Sequence, residues 1–154
     1  MNQILNNKTE KDGIVGIHAR PSVGKTTFML QIVDEVIKRK DGTALIFSLE
    51  ASKEWLLRRM QQLDISSDCV VIDDTPHVTA EHMEAKIKQV GNVSFLCIDY
   101  LQLLEDAVCK RLTKIAEKYG IPIIINGVSP REYGQKEKLE QCSVLDFSNC
   151  CSNH

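Results

Sequence analysis

Residues 19 to 28 read ARPSVGKTTF, set between the apolar run GIVGIH (13–18) and the periodic stretch MLQIVDEVI (29–37). The spacing fits G-x-x-x-x-G-K-[ST], with Ala19 in the first position, Arg20, Pro21, Ser22 and Val23 as the variable residues, then Gly24, Lys25 and Thr26. Such a loop turns backbone N–H groups inward, and the helix that follows adds the positive end of its dipole, so the combination suits the phosphates of a nucleotide such as ATP. Lys25 would meet the β- and γ-phosphates, and the Thr26 hydroxyl would coordinate Mg²⁺. Thr27 completes the set on the first helical turn. Gly24 is expected because a side chain there would obstruct the phosphates.

A phosphate loop needs a carboxylate at the end of another strand to hold the metal's water shell. Asp99, ending VSFLCID, stands in that place. Hydrolysis further needs a base or a water-orienting group, and Glu50, ending IFSLE, is the candidate. Each carboxylate also reads more plainly as a strand-end or capping residue when taken alone. Together with Lys25 they fall at the carboxyl ends of three strands, where open parallel sheets bind ligands.

The elements that must position these groups alternate along the chain. Strands are expected at 13–19, 44–49, 69–73, 93–98 and 121–125. Helices are expected at 25–39, from a Ser52 cap to about Leu63, from a Thr79 cap to about Val90, and at about 106–119. Val78 and Met83 are spaced as a hydrophobic staple across the Thr79 cap. Gly120 suits the C′ position of the last helix, whose Val108, Leu112, Ile115 and Tyr119 share one face. Strands this apolar are buried on both faces, which implies an α/β fold with a mainly parallel five-stranded sheet covered by helices. The core is expected at 13–126, preceded by an extension (1–12) and followed by a tail (127–154) in which only a short helix near 136–141 is suggested.

Composition bounds the function. At 154 residues, 43% apolar and 26% charged, the chain reads as one globular domain. A formal net charge of −2 gives no basic footprint for nucleic acid. The clusters Lys38-Arg39-Lys40, Arg58-Arg59 and Lys110-Arg111 read as solvated faces rather than a DNA groove. No run reaches transmembrane length and residues 1–12 lack the apolar centre of a signal peptide, so a cytoplasmic protein without membrane partners is expected. Of six cysteines, Cys69, Cys97 and Cys109 fall in strand or helix patterns and are expected to be small buried hydrophobes. Cys142, Cys150, Cys151 and His154 match no usual zinc spacing.

ARPSVGKTTF, IFSLEAS and FLCIDYLQLLE, in this order and spacing, resemble the ATPase domain of DnaB-type replicative DNA helicases, members of the RecA-like class. The likeness runs from about Gly13 to Pro122. It implies a three-layer α/β/α fold with sheet order 3-2-4-5-1, ATP and Mg²⁺ as cofactors, Glu50 as the catalytic carboxylate and Asp99 as the metal-linked one. Gln102, within DYLQLL, matches the family string and joins the nucleotide-site set. The resemblance further implies hexameric rings around single-stranded DNA, with ATP between subunits.

The chain also departs from the family pattern. A Ser-Gln pair is expected after the fifth strand, and by register Gly127 and Val128 occupy its places; valine cannot hydrogen-bond a phosphate. Asp146, in SVLDFSN, stands where a family stretch carries an arginine. The family's further strands and its arginine finger are expected to lie outside these residues. That would leave the first strand as an apolar sheet edge, to be covered by the tail, with Val144, Leu145 and Phe147 as candidates, or by association with another chain. Two functions remain open: an ATP-hydrolysing motor domain, favoured by Lys25, Glu50 and Asp99, and a nucleotide-binding partner or regulatory module without motor activity, favoured by Val128.

Overall fold

The structure is a computed structural model of the 154-residue chain; it describes residues 13–19, 22–39, 42–99, 105–128 and 143–146. Strands β1 (Ile14–Ala19), β2 (Thr43–Ser48), β3 (Val70–Asp73), β4 (Val93–Asp99) and β5 (Ile123–Val128) alternate with helices α1 (Lys25–Arg39), α2 (Lys53–Gln62), α3 (Ala80–Val90) and α4 (Asp106–Tyr119). A further strand, β6 (Ser143–Asp146), completes the order β3-β2-β4-β5-β1-β6. Every pairing is parallel. The five expected strands thus lie in the order 3-2-4-5-1, and residues of the tail add a sixth beside β1.

The sheet separates two cores. Strand side chains alternate, so that Val15, Ile17, Ala44, Ile46, Phe95, Cys97 and Ile124 meet Met29, Leu30 and Val33 of α1 and Leu56 and Met60 of α2. Ile14, Leu45, Phe47, Leu96, Ile98, Ile123 and Ile125 face the other way, onto Met83 and Ile87 of α3 and Val108, Leu112 and Ile115 of α4. Helices therefore cover both faces, as continuous apolar strands require. Each large side chain buried in this way contributes roughly 1.5–3 kcal/mol, whereas solvent screening leaves surface ion pairs such as Lys38–Asp34 and Arg111–Glu81 little to add. Packing, not the charged surface, carries the fold.

The helix boundaries obey local chemistry. Ser52 Oγ accepts from Trp55 N at 3.3 Å and Thr79 Oγ1 from His82 N at 3.1 Å, so both expected caps form. Val78 and Met83 are buried together across the Thr79 cap. Gly120 takes the left-handed conformation (φ 62°) that ends α4.

Strand ends shift by a residue in several places, and by more in β5. β5 starts at Ile123 rather than 121, because Ile121 N bonds Ala116 O at the close of α4. It continues to Val128 because β1 pairs with it throughout and β4 as far as Asn126, and that pairing overrides the weak strand preference of Asn126 and Gly127. Cys97 is buried and Cys109 half-buried, but Cys69 is exposed, since it lies in the turn before β3 rather than within the strand. The suggested helix near 136–141, Phe147, Cys142, Cys150, Cys151 and His154 lie outside the described residues.

Candidate functional site

β1 ends at Ala19 and α1 starts at Lys25, so the candidate phosphate loop lies between them. Ser22 and Gly24 have φ of 61° and 92°, and Phe28 N bonds Gly24 O at 2.9 Å, so Gly24 is the residue from which α1 begins. Among the described residues, a Cβ at Gly24 would meet nothing within 4 Å, so glycine is demanded by the backbone's positive φ rather than by crowding. No acidic residue occupies the first turn of α1, where a carboxylate would compete with an incoming anion. Lys25 is half-buried and Val23 exposed. Arg20, Pro21 and Gln102 lie outside the described residues, while the backbone of Ala19 ends β1 in register with Val128.

Thr26 and Asp99 meet. The Thr26 hydroxyl donates to Asp99 Oδ2 at 2.9 Å across 73 residues of sequence. Asp99 is 3% exposed, and its other oxygen, Oδ1, accepts from Asn126 Nδ2 at 3.2 Å. An oxygen-only pair of hydroxyl and ionisable carboxylate suits a hard, oxygen-loving cation such as Mg²⁺. Burial, with the Asp99 charge beside it, pushes the Cys97 thiol well above its usual range.

Glu50 is held near Asp99 by the β2–β4 ladder. Ser48 pairs with Asp99 in register, and Leu49 N continues the ladder to Asp99 O at 2.7 Å. Glu50 follows directly, exposed to solvent, in a bend fixed by the 2.5 Å bond from Ser48 Oγ to Ala51 O. Phosphate loop, Thr26, Asp99 and Glu50 thus converge at the carboxyl edge of the sheet.

Two residues join this site that sequence reasoning left aside. Asn126, 0% exposed, touches Asp99 from β5. Arg59, read as part of a solvated face, turns inward from α2, and its Nη2 donates to Thr27 Oγ1 at 3.0 Å on the first turn of α1. The only signal for Asn126 was a lone amide closing a run of isoleucines. For Arg59 it was the helical spacing that sets it beside the core residues Leu56 and Met60. Among the described residues, no helix is long and apolar enough to cross a membrane.

Residues 3–66 match the family described as DnaB-like helicase C terminal domain. The chain is 28% identical over 158 residues to the replicative DNA helicase DnaC of Bacillus subtilis (strain 168), covering 75% of this chain and 35% of that protein. It is 31% identical over 169 residues to the replicative DNA helicase DnaB of Buchnera aphidicola subsp. Baizongia pistaciae (strain Bp), covering 79% and 36%. The chain therefore spans little more than a third of the length of these curated relatives. Among solved structures, an ATPase domain superposes with a TM-score of 0.69 at 22% identity, covering 91% of this chain and 69% of that one, a likeness of fold. The chain is similar in sequence to replicative DNA helicases of the DnaB type over part of their length, and it has a RecA-like α/β fold.

Proposed function

We propose that this chain binds ATP with Mg²⁺ and hydrolyses it slowly, as an ATPase domain of the replicative DNA helicase type. The observation that carries the reading is the Thr26–Asp99 hydrogen bond, which joins the phosphate loop to a buried carboxylate on a different strand. Backbone N–H groups at the start of α1 would hold the phosphates, with Lys25 adding a positive charge. Thr26 and Asp99 would hold Mg²⁺, directly and through its water shell; once bound, the ion neutralises phosphate charge. Glu50, exposed beside them, would orient the attacking water and take up its proton. Binding to single-stranded DNA and assembly into a ring follow from relatedness to helicases and are part of the same proposal.

A second reading has one observation in its favour. Val128 ends β5 opposite Ala19 of the phosphate loop, and an apolar residue there cannot report on a terminal phosphate. On that reading the chain is a nucleotide-binding partner or regulator with no motor activity.

Calorimetry and single-turnover kinetics on three proteins separate these possibilities. The unaltered chain should bind ATP and ADP with Mg²⁺, and Lys25→Ala should lose about tenfold or more in affinity through the missing charged contact. Glu50→Gln should keep the affinity and lose turnover. Turnover in the unaltered chain should itself be slow, because an arginine supplied from outside can be worth roughly 10³–10⁵ in rate. A folded chain that binds no nucleotide would rule out both readings; binding with equal, negligible turnover in all three proteins would favour the second.

A further inference from the structure

Asn126 sits where an aliphatic side chain would pack better. It lies on the face of β5 that carries Ile124 into the core beneath α1, and it is 0% exposed. Its backbone is in register with Asp99 of β4 on one side and Ile17 of β1 on the other. Its amide nitrogen has two neighbours, Asp99 Oδ1 at 3.2 Å and the Met29 sulfur, a weak acceptor, at 3.4 Å. Among the described residues, its carbonyl oxygen, Oδ1, is buried with no hydrogen-bond partner. A carboxylate only accepts, so Asp99 dictates which end of the amide faces it, and the oxygen is turned away as a consequence. An unpartnered buried oxygen opposes folding, so the contact with Asp99 is what the asparagine offers in return.

We propose that Asn126 is a positioning residue for the metal side of the site, clamping the Asp99 carboxylate so that its other oxygen receives the Thr26 hydroxyl. The inference rests on the proposed nucleotide and Mg²⁺ site. With Oδ1 held by Asn126 and Oδ2 by Thr26, the carboxylate is fixed at both ends. A Thr26 proton committed to Asp99 leaves the hydroxyl's lone pairs for a cation. Without Asn126, Asp99 gains freedom to turn and the Thr26 hydroxyl gains freedom with it. Groups one step behind the ligands commonly set metal affinity in this manner.

The test compares the unaltered chain with Asn126→Leu and Met29→Leu, measuring thermal unfolding and ADP affinity in a chelator and in Mg²⁺. Mn²⁺ binding to each ADP complex, followed by electron paramagnetic resonance, reads the cation directly. Asn126→Leu should unfold at the same temperature or higher, keep its metal-free ADP affinity, and lose about tenfold or more in cation affinity. Met29→Leu, which disturbs the same core without touching Asp99, should bind the cation as the unaltered chain does. Equal cation affinity in the Asn126→Leu protein would overturn the inference while leaving the nucleotide site standing. No ADP binding by the unaltered chain would overturn both. Should Asn126→Leu fail to fold, the side-chain amide resonance of Asn126 in the unaltered chain decides. It should move when Mg²⁺ joins the ADP complex, and a resonance that stays in place would sink the proposal.

Discussion

Asp73 closes β3 at 5% exposure, and its carboxylate is nonetheless held down to about 2 from an ordinary 3.8. Burial pushes it up, but hydrogen bonds from Thr75 and the contact with His82, at 2.9 Å, outweigh that cost. Lys86 adds a cation at 3.6 Å. A carboxylate more acidic in the folded state stabilises that state above its unfolded pKa and loses the contribution as pH falls towards the folded one. The stabilisation, roughly 2 kcal/mol, should be complete above about pH 5 and fade between pH 3.8 and about 2. Urea unfolding should therefore find Asp73→Asn less stable by about that amount at neutral pH, with the gap closing as pH approaches the bottom of the window; a constant gap would show that packing, not charge, is lost. Such pairings mark the limit of sequence reading at this scale. Gly24, Lys25 and Thr26 were legible because their chemistry is written in consecutive residues. Asn126 and Arg59 were not, because their partners Asp99 and Thr27 lie 27 and 32 residues away and meet them only through strand register and helix packing.

At the scale of elements, the turn into β2 holds a conflict that glycine resolves. β4 carries a bulge at Ser94, because Thr43 pairs with Val93 while Ala44 pairs with Phe95. The extra residue lets Val93 and Leu96, three apart, reach the same core. It also presses Ser94 against the backbone of Gly42, where a Cβ would stand 2.7 Å from the Ser94 Cβ and 3.2 Å from Asn92 O, at a φ of 146°. Gly42→Ala should therefore cost about 2 kcal/mol or more, well above a plain glycine-to-alanine change, by combining backbone strain with a collision. Adding Ser94→Gly should recover the collision part and leave the strain. Chemical denaturation of the single and double variants checks this; additive losses would mean that the two residues do not meet. The bulge was not readable, since VSFLCID carries no glycine or proline to mark it and Ser94 alone breaks its apolar run. The end of β5 escaped for the opposite reason: Asn126-Gly127 looks like a terminus locally, but β1 along both residues and β4 at Asn126 hold it in the sheet.

For the whole molecule, the sheet order 3-2-4-5-1 followed from family resemblance, and helix placement on both faces followed from how apolar the strands are. What neither supplied was the fate of the edge beside β1. That strand has no proline to blunt it, and parallel strands with free N–H and C=O groups recruit partners. In the structure, Ser143–Asp146 lies along it in parallel register, pairing Val15 with Ser143, Gly16 with Val144, Ile17 with Leu145 and His18 with Asp146. The chain thus supplies a partner to its own edge, and β6, at four residues, leaves a shorter edge than the six-residue β1 it covers. Because β1 ends just before the candidate phosphate loop, a second chain docking there would lie next to the proposed nucleotide site. Deleting residues 142–154 should expose the β1 ladder and turn a dispersed protein into dimers or larger aggregates. A version that keeps the length but carries proline at Val144 and Leu145 should behave like the deletion, since proline removes the N–H groups that β6 brings to the pairing. Light scattering at matched concentration gives the answer. An unchanged particle size in both variants would mean that β6 does not guard the edge, and that the apolar strand is kept from pairing by something other than its neighbour.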